Sequence, residues 1–304
     1  MPMGSPAVSR IIAIGLCGLC INASASLAQE PAPELEPQLG KGAYIAGAPA
    51  ELSADEAAKN LANPNTPLAS LTLKSQWTHW DGSLPGADGL DSQTFLFQPS
   101  FPFPLSETDT LFVRPAFPYL VDQPVADSSG KVRTESGFGD MGMDLAYGRT
   151  TKTGFITAAG VIVGLPIGAD GLSSDTWTLG PELLVAQMSK NSVVGVFPNH
   201  QWDVSGPGDI SLTTIQPLLT YLPGGGWAIS SSGPISYNWS AEQWTIPLNL
   251  TVARTVKLGH LPVKLALDCN YYLEQADALG QKWMIGFNVT PVVPNVVAGW
   301  LGRR

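Results

Sequence analysis

QWTIPLNLTVAR, residues 243–254, changes polarity at almost every step. Trp244, Ile246, Leu248, Leu250 and Val252 fall on one face, and Thr245, Asn249, Thr251 and Ala253 on the other. Successive side chains of an extended chain point to opposite faces, so the stretch reads as a strand with one greasy and one polar side. The greasy side runs over about 10 positions, the ~9–11 residues that a tilted strand needs to cross hydrocarbon. Strands of soluble proteins more often run ~5–6 residues.

Two neighbouring stretches repeat the pattern. Leu261, Val263, Leu265, Leu267, Cys269 and Tyr271 alternate with Lys264, Ala266, Asp268 and Asn270. Met141, Met143, Leu145 and Tyr147 alternate with Asp140, Gly142, Asp144, Ala146 and Gly148. Working outward, the period of two begins at Leu68 and gives twelve strand candidates: 68–80, 92–103, 109–120, 138–149, 153–165, 176–188, 191–203, 209–222, 226–239, 243–256, 261–273 and 282–294. Short connections, such as Thr150–Thr153 and Leu222–Gly226, roughly alternate with longer polar ones, such as Asp122–Gly137 and Gly168–Asp175. Trp77, Trp80, Tyr119, Tyr147, Trp177, Trp202, Tyr221, Trp227, Trp239, Trp244, Tyr271, Tyr272 and Trp283 lie near strand ends, as in the aromatic girdles of membrane barrels. Lipid offers no partner to an open strand edge, so the expected fold is all-β: a closed antiparallel transmembrane β-barrel of about 12 strands, residues 67–304.

Composition agrees. Only 13% of the 304 residues are charged, about half the usual share. The 32 Gly and 26 Pro punctuate the strands. A net charge of -9 with no basic cluster excludes nucleic acid as a partner. Three Cys and three scattered His provide neither a disulfide framework nor a metal cage, so no metal and no cofactor is expected. The uncharged run 155–167 carries Gly160, Gly164 and Gly168 at helix-packing spacing, but it is short of a membrane helix and Pro166 interrupts it; a strand with small inward residues fits better.

The chain opens with Arg10, an apolar run Ile11–Ile21 and small residues up to Ala28, the form of a secretory signal peptide, residues 1–28. Its removal leaves Cys269 as the one thiol, on the outward face. Residues 29–66 read as a short flexible N-terminal periplasmic tail, rich in Pro, Gly, Ala and Glu. Within it Ser53 and Glu56 form a capping box that opens a short helix-like stretch, ended by Asn63-Pro64. A solvated linker is the expectation there, with a plug as the sharper alternative.

On the polar faces, alternation points Lys74, Arg114, Asp140, Asp144, Glu182, Lys264 and Asp268 inward as lumen-lining candidates. Both signs occur. They either fill and rigidify a narrow barrel or form a charged constriction that sets selectivity. No catalytic residue stands out: none of His79, His200 and His260 is followed two residues later by Ser, the same-face spacing of a Ser–His pair on one strand.

GFGDM at Gly137–Met141, WTLGP at Trp177–Pro181, TIQP at Thr214–Pro217 and the run Ile246–Arg254, in that order, resemble the MetA-pathway of phenol degradation family of Gram-negative outer-membrane proteins, over roughly 67–297. The resemblance implies an outer-membrane barrel that passes small compounds, aromatic ones among them, embedded in outer-membrane lipid and inserted by the barrel-assembly machinery. It implies no catalytic residue. The expected function is therefore passive passage of small solutes. The alternatives are a closed structural or interaction barrel and, third, an outer-membrane lipid-modifying enzyme.

Overall fold

The computed structural model describes residues 52–127 and 129–295. The leader expected at 1–28 and most of the tail lie outside them. One helix, α1 (Ala54–Ala62), precedes fourteen strand segments. These are β1 (Ala69–Asp81), β2 (Leu90–Pro104), β3 (Asp109–Ala126), β4 (Val132–Phe138), β5 (Met141–Thr150), β6 (Phe155–Leu165), β7 (Trp177–Met188), β8 (Ser192–Ser205), β9 (Ser211–Gly224), β10 (Trp227–Ser231), β11 (Ile235–Asn238), β12 (Gln243–Leu258), β13 (Leu261–Glu274) and β14 (Gly280–Val293).

Fourteen segments make twelve barrel strands. β4 and β5 both pair with β3 and form one strand interrupted at Gly139-Asp140; β10 and β11 both lie between β9 and β12. Every pairing is antiparallel, and β14 returns to β1, with Trp77 opposite Ile285, so the sheet has no free edge. All twelve expected strands are present, including the glycine-bearing β6. Among the described residues no helix is long and apolar enough to cross a membrane.

Alternation holds around the wall. In β7, Trp177, Leu179, Leu183 and Val185 are exposed while Thr178, Glu182, Leu184 and Ala186 are buried. Leu248 is 62% exposed and Leu267 52%, values far outside those of a soluble core. An apolar band of this extent is stable only against lipid tails, so the barrel spans a membrane. Outward aromatics ring it: Trp77, Tyr119, Trp177, Trp202, Trp239 and Trp244 at the long-loop end, Tyr147, Phe155, Tyr221 and Trp227 at the short-turn end. Trp80 departs from the expected girdle. It points inward, is 3% exposed, donates its indole N–H to Ser92 Oγ at 2.8 Å and packs with Ala87, Val132 and Leu279 beneath the long loops.

The interruption between β10 and β11 falls at Gly233-Pro234, where proline brings no N–H to the ladder. Inward side chains take over the freed backbone groups. Asn249 Oδ1 accepts the Ser232 N–H at 2.8 Å, and Gln216 Nε2 donates to the Ser232 carbonyl at 2.9 Å. Within hydrocarbon such groups must be satisfied by protein, and here the polar lumen face does so.

Candidate functional site

The lumen is the concave surface of this barrel, and three layers of residues build it. The first is a charged belt. Lys74 is the sixth residue of β1 and Arg114 the sixth of β3; Asp144 and Glu182 are each seventh from the short-turn ends of β5 and β7. These four inward residues therefore stand at about the same depth. Lys264 and Asp268, fourth and eighth in β13, flank that level. Lys74, Asp144, Glu182 and Asp268 are each 5% exposed or less.

The belt divides into unlike parts. Asp268 is engaged through Oδ1: Asn249 Nδ2 donates to it at 2.8 Å and Thr251 Oγ1 at 2.7 Å, and the same Asn249 amide reaches Asn270 at 2.6 Å. The Asp144 and Glu182 carboxyl groups meet across β6. The small inward residue Gly160, opposite both Ala146 and Glu182, leaves the room for this. Asp144 is buried, and the Glu182 carboxyl is its hydrogen-bond partner. Arg114 is the register partner of Asp144, yet its guanidinium donates to Ser100 Oγ at 3.3 Å and to the Pro64 carbonyl, and rests on the Phe112 ring at 4.5 Å.

Asp140 is placed elsewhere. It lies in the break between β4 and β5, at the long-loop end, and its carboxylate accepts from Ser173 Oγ, Ser174 N and Ser174 Oγ at 2.7–2.8 Å and from Gly168 N at 3.1 Å. It pins loop 166–176 and stands apart from the belt. Alternation gave its facing from a run that the Gly139 break interrupts, which is why its depth was not legible.

The second layer is apolar. Ile156, Leu184, Val193, Phe197, Leu218 and Leu222 point inward from β6, β7, β8 and β9 and form one buried cluster. It fills the lumen wall below the belt on that side.

The third layer is the segment before β1. A solvated linker was expected over it; residues 54–66 instead lie inside the barrel. Ser53 caps α1 with both halves of the capping box present. Ala57, Ala58 and Ala62 are buried, and Ala62 joins the apolar cluster. Alanine at these positions lets a helix lie close against the small wall residues Ala228 and Ala253. Gly226 closes a turn in which Gly224, Gly225 and Gly226 all take positive φ, and its N–H donates to Asp55 Oδ1 at 2.6 Å. The chain then crosses from the β9–β13 side to the β3–β5 side. There Arg114 holds Pro64, and Asn65 Nδ2 donates to Thr150 Oγ1 at 2.9 Å. Low apolar content pointed to a linker, but a small polar helix is what a half-polar lumen accepts.

On the outer wall one further pairing emerges. His200 Nδ1 lies 2.7 Å from Thr213 Oγ1 and its Nε2 3.5 Å from Ser211 Oγ. β8 and β9 bring these residues together, which spacing along a single strand cannot show. The His200 ring also packs on Trp202, 4.2 Å between centroids. Among the described residues no carboxylate is hydrogen-bonded to the imidazole. Among the described residues there is no group of three or more His, Cys, Asp or Glu able to hold a metal ion.

No protein-family model matches the sequence, and no curated protein does. Solved structures do. The COG4313 outer membrane channel from Pseudomonas putida F1 superposes with a TM-score of 0.57 at 12% identity, over 74% of this chain and 95% of that one. Outer membrane phospholipase A from Escherichia coli gives 0.43 at 13% identity, over 72% and 95%. The TodX monoaromatic hydrocarbon channel gives 0.40 at 10% identity, over 77% and 94%. The first of these establishes what the chain shares with solved proteins: the fold of an outer-membrane β-barrel.

Proposed function

We propose that this barrel is an outer-membrane channel for passive passage of small solutes, with its short-turn end toward the periplasm and residues 54–66 as a removable obstruction. One observation carries the reading: the apolar side chains that the obstruction buries fully are small, Ala57, Ala58 and Ala62, its largest, Leu61, is only half-buried, and hydrogen bonds make the remaining ties. A segment meant only to fill the barrel would bury large side chains, since stabilisation follows apolar area. The lumen pairs a charged belt with an apolar wall patch, which suits small amphipathic or aromatic compounds. Membership of the phenol-degradation MetA-pathway family and an outer-membrane lipid environment are parts of the same proposal; the likeness to the COG4313 channel supports them through fold. Planar-bilayer recordings test it. The full chain is expected to show brief openings, and a chain lacking 53–66 a steady conductance. Silence from both, with the barrel folded, would overturn it.

A second reading rests on the Ser211–His200 contact, which faces lipid near the aromatic girdle: a serine hydrolase acting on membrane lipid. It is the weaker reading because Nδ1 of His200 is held by a hydroxyl, where an acidic or amide orienter normally fixes the tautomer. Phospholipid turnover abolished by both Ser211→Ala and His200→Ala would establish it; turnover absent from the unaltered protein would dismiss it.

A further inference from the structure

The divided loyalty of Arg114 assigns it a role beyond lining a pore. Asp144 stands directly across the ladder from it, and the touching Asp144 and Glu182 carboxyls are the acidic groups whose field it feels. A buried carboxylate and a buried guanidinium in register would ordinarily form a charge-assisted pair, roughly twice as strong as a neutral hydrogen bond. Here the guanidinium is turned to a neutral acceptor, the Pro64 carbonyl of the plug, and Asp144, 2% exposed, is left with the neighbouring Glu182 carboxyl in place of the guanidinium.

We propose that Arg114 is a two-position latch. With residues 54–66 in the lumen it holds Pro64. When the segment leaves, the guanidinium turns to Asp144 and Glu182, which already stand in place to receive it. The loss of the Pro64 contact is thereby offset by a contact that the plugged state denies. Plugged and unplugged are then two discrete arrangements of one side chain, each with its own partner, the kind of bistable element that a switch requires. The segment is also tied by Asp55 to Gly226 and by Asn65 to Thr150; Arg114 is the tie whose wall residue has an acidic partner across the ladder, so it is the contact that sets the balance. This extends the channel reading, but its test does not depend on conduction.

The experiment uses the full chain in lipid vesicles with Cys269→Ser, so that Ala58→Cys is the single thiol of the exported protein. Ala58 is buried between α1 and the wall, so a maleimide reaches it only when the segment is out, and the labelling rate reads that population. Asp144→Asn with Glu182→Gln removes the carboxyl partners of the unplugged state and leaves the Pro64 contact in place. Labelling is expected to slow by about tenfold, the scale of one hydrogen bond to a charged group. Each single neutralisation should slow it less, in the same direction, so the result survives if the double variant folds poorly. An unchanged or faster rate in folded protein, judged by heat-modifiable migration, overturns the latch. Slowed labelling in a protein that never conducts would keep the latch and remove the channel.

Discussion

Asn65 sits over Gly148: a Cβ at position 148 would run into the Asn65 carboxamide and press on Phe112. This bare patch on β5 is what lets the crossing between α1 and β1 lie flat against the wall. The backbone of Gly148 takes no positive φ, so alanine fits the strand backbone and its severest conflict is with the plug.

Gly148→Ala is therefore expected to lift residues 63–66 off β5 and cost the plugged state about 1–3 kcal/mol by overpacking. The readout is faster maleimide labelling of Ala58→Cys in the Cys269→Ser background, with unchanged heat-modifiable migration. Slow labelling identical to the parent would show that the crossing is not seated there.

The helix start should respond to acid. Two hydrogen bonds from Ser53 hold the Glu56 carboxyl below its ordinary value of 4.5. A carboxylate depressed on folding stabilises the folded arrangement above its unfolded pKa, and that contribution is lost as pH falls through the folded one. Plug release should rise only below about pH 4.5, and Ser53→Ala, which removes a cap worth about 1 kcal/mol, should raise release at neutral pH as well. A plug equally secure at pH 3 and pH 7 would contradict this.

The lipid face has a depth scale. Leu250 lies at mid-strand in β12 and is 53% exposed, whereas Gln187 is exposed near the turn end of β7. Leu250→Arg should destabilise the barrel by about 2–4 kcal/mol and Gln187→Arg by about 0–1 kcal/mol, measured by reversible unfolding from bilayers. Equal costs at the two sites would argue against a membrane midplane near Leu250.

Asp268 holds the inward network of β12 and β13 together. Asp268→Leu leaves the Asn249 amide and the Thr251 hydroxyl without this acceptor and should cost about 1–3 kcal/mol in the same assay. A variant as stable as the parent would show that Asn270 alone satisfies Asn249.

Read in isolation, the sequence carries the barrel because lipid imposes a repeating requirement on every strand. Leu248, Leu250 and Val252 must face outward at period two, and Asn249 and Thr251 inward, whatever the neighbouring strand holds. It missed what depends on two strands at once. The contact between Ser211 and His200 needs the β8–β9 register, and the inward turn of Trp80 needs the cluster beneath the long loops.

Chain order alone determined the twelve crossings, their facing and the inward direction of Lys74, Arg114, Asp144, Glu182, Lys264 and Asp268, because alternation is a local property of extended backbone. Closure of the sheet decided everything about how those groups share the interior. It brought Asp144 against Glu182 across β6, set Arg114 between Asp144 and Pro64, and drew a polar, alanine-rich helix into the lumen. Those are distances across a ring, and no periodicity along the chain encodes them.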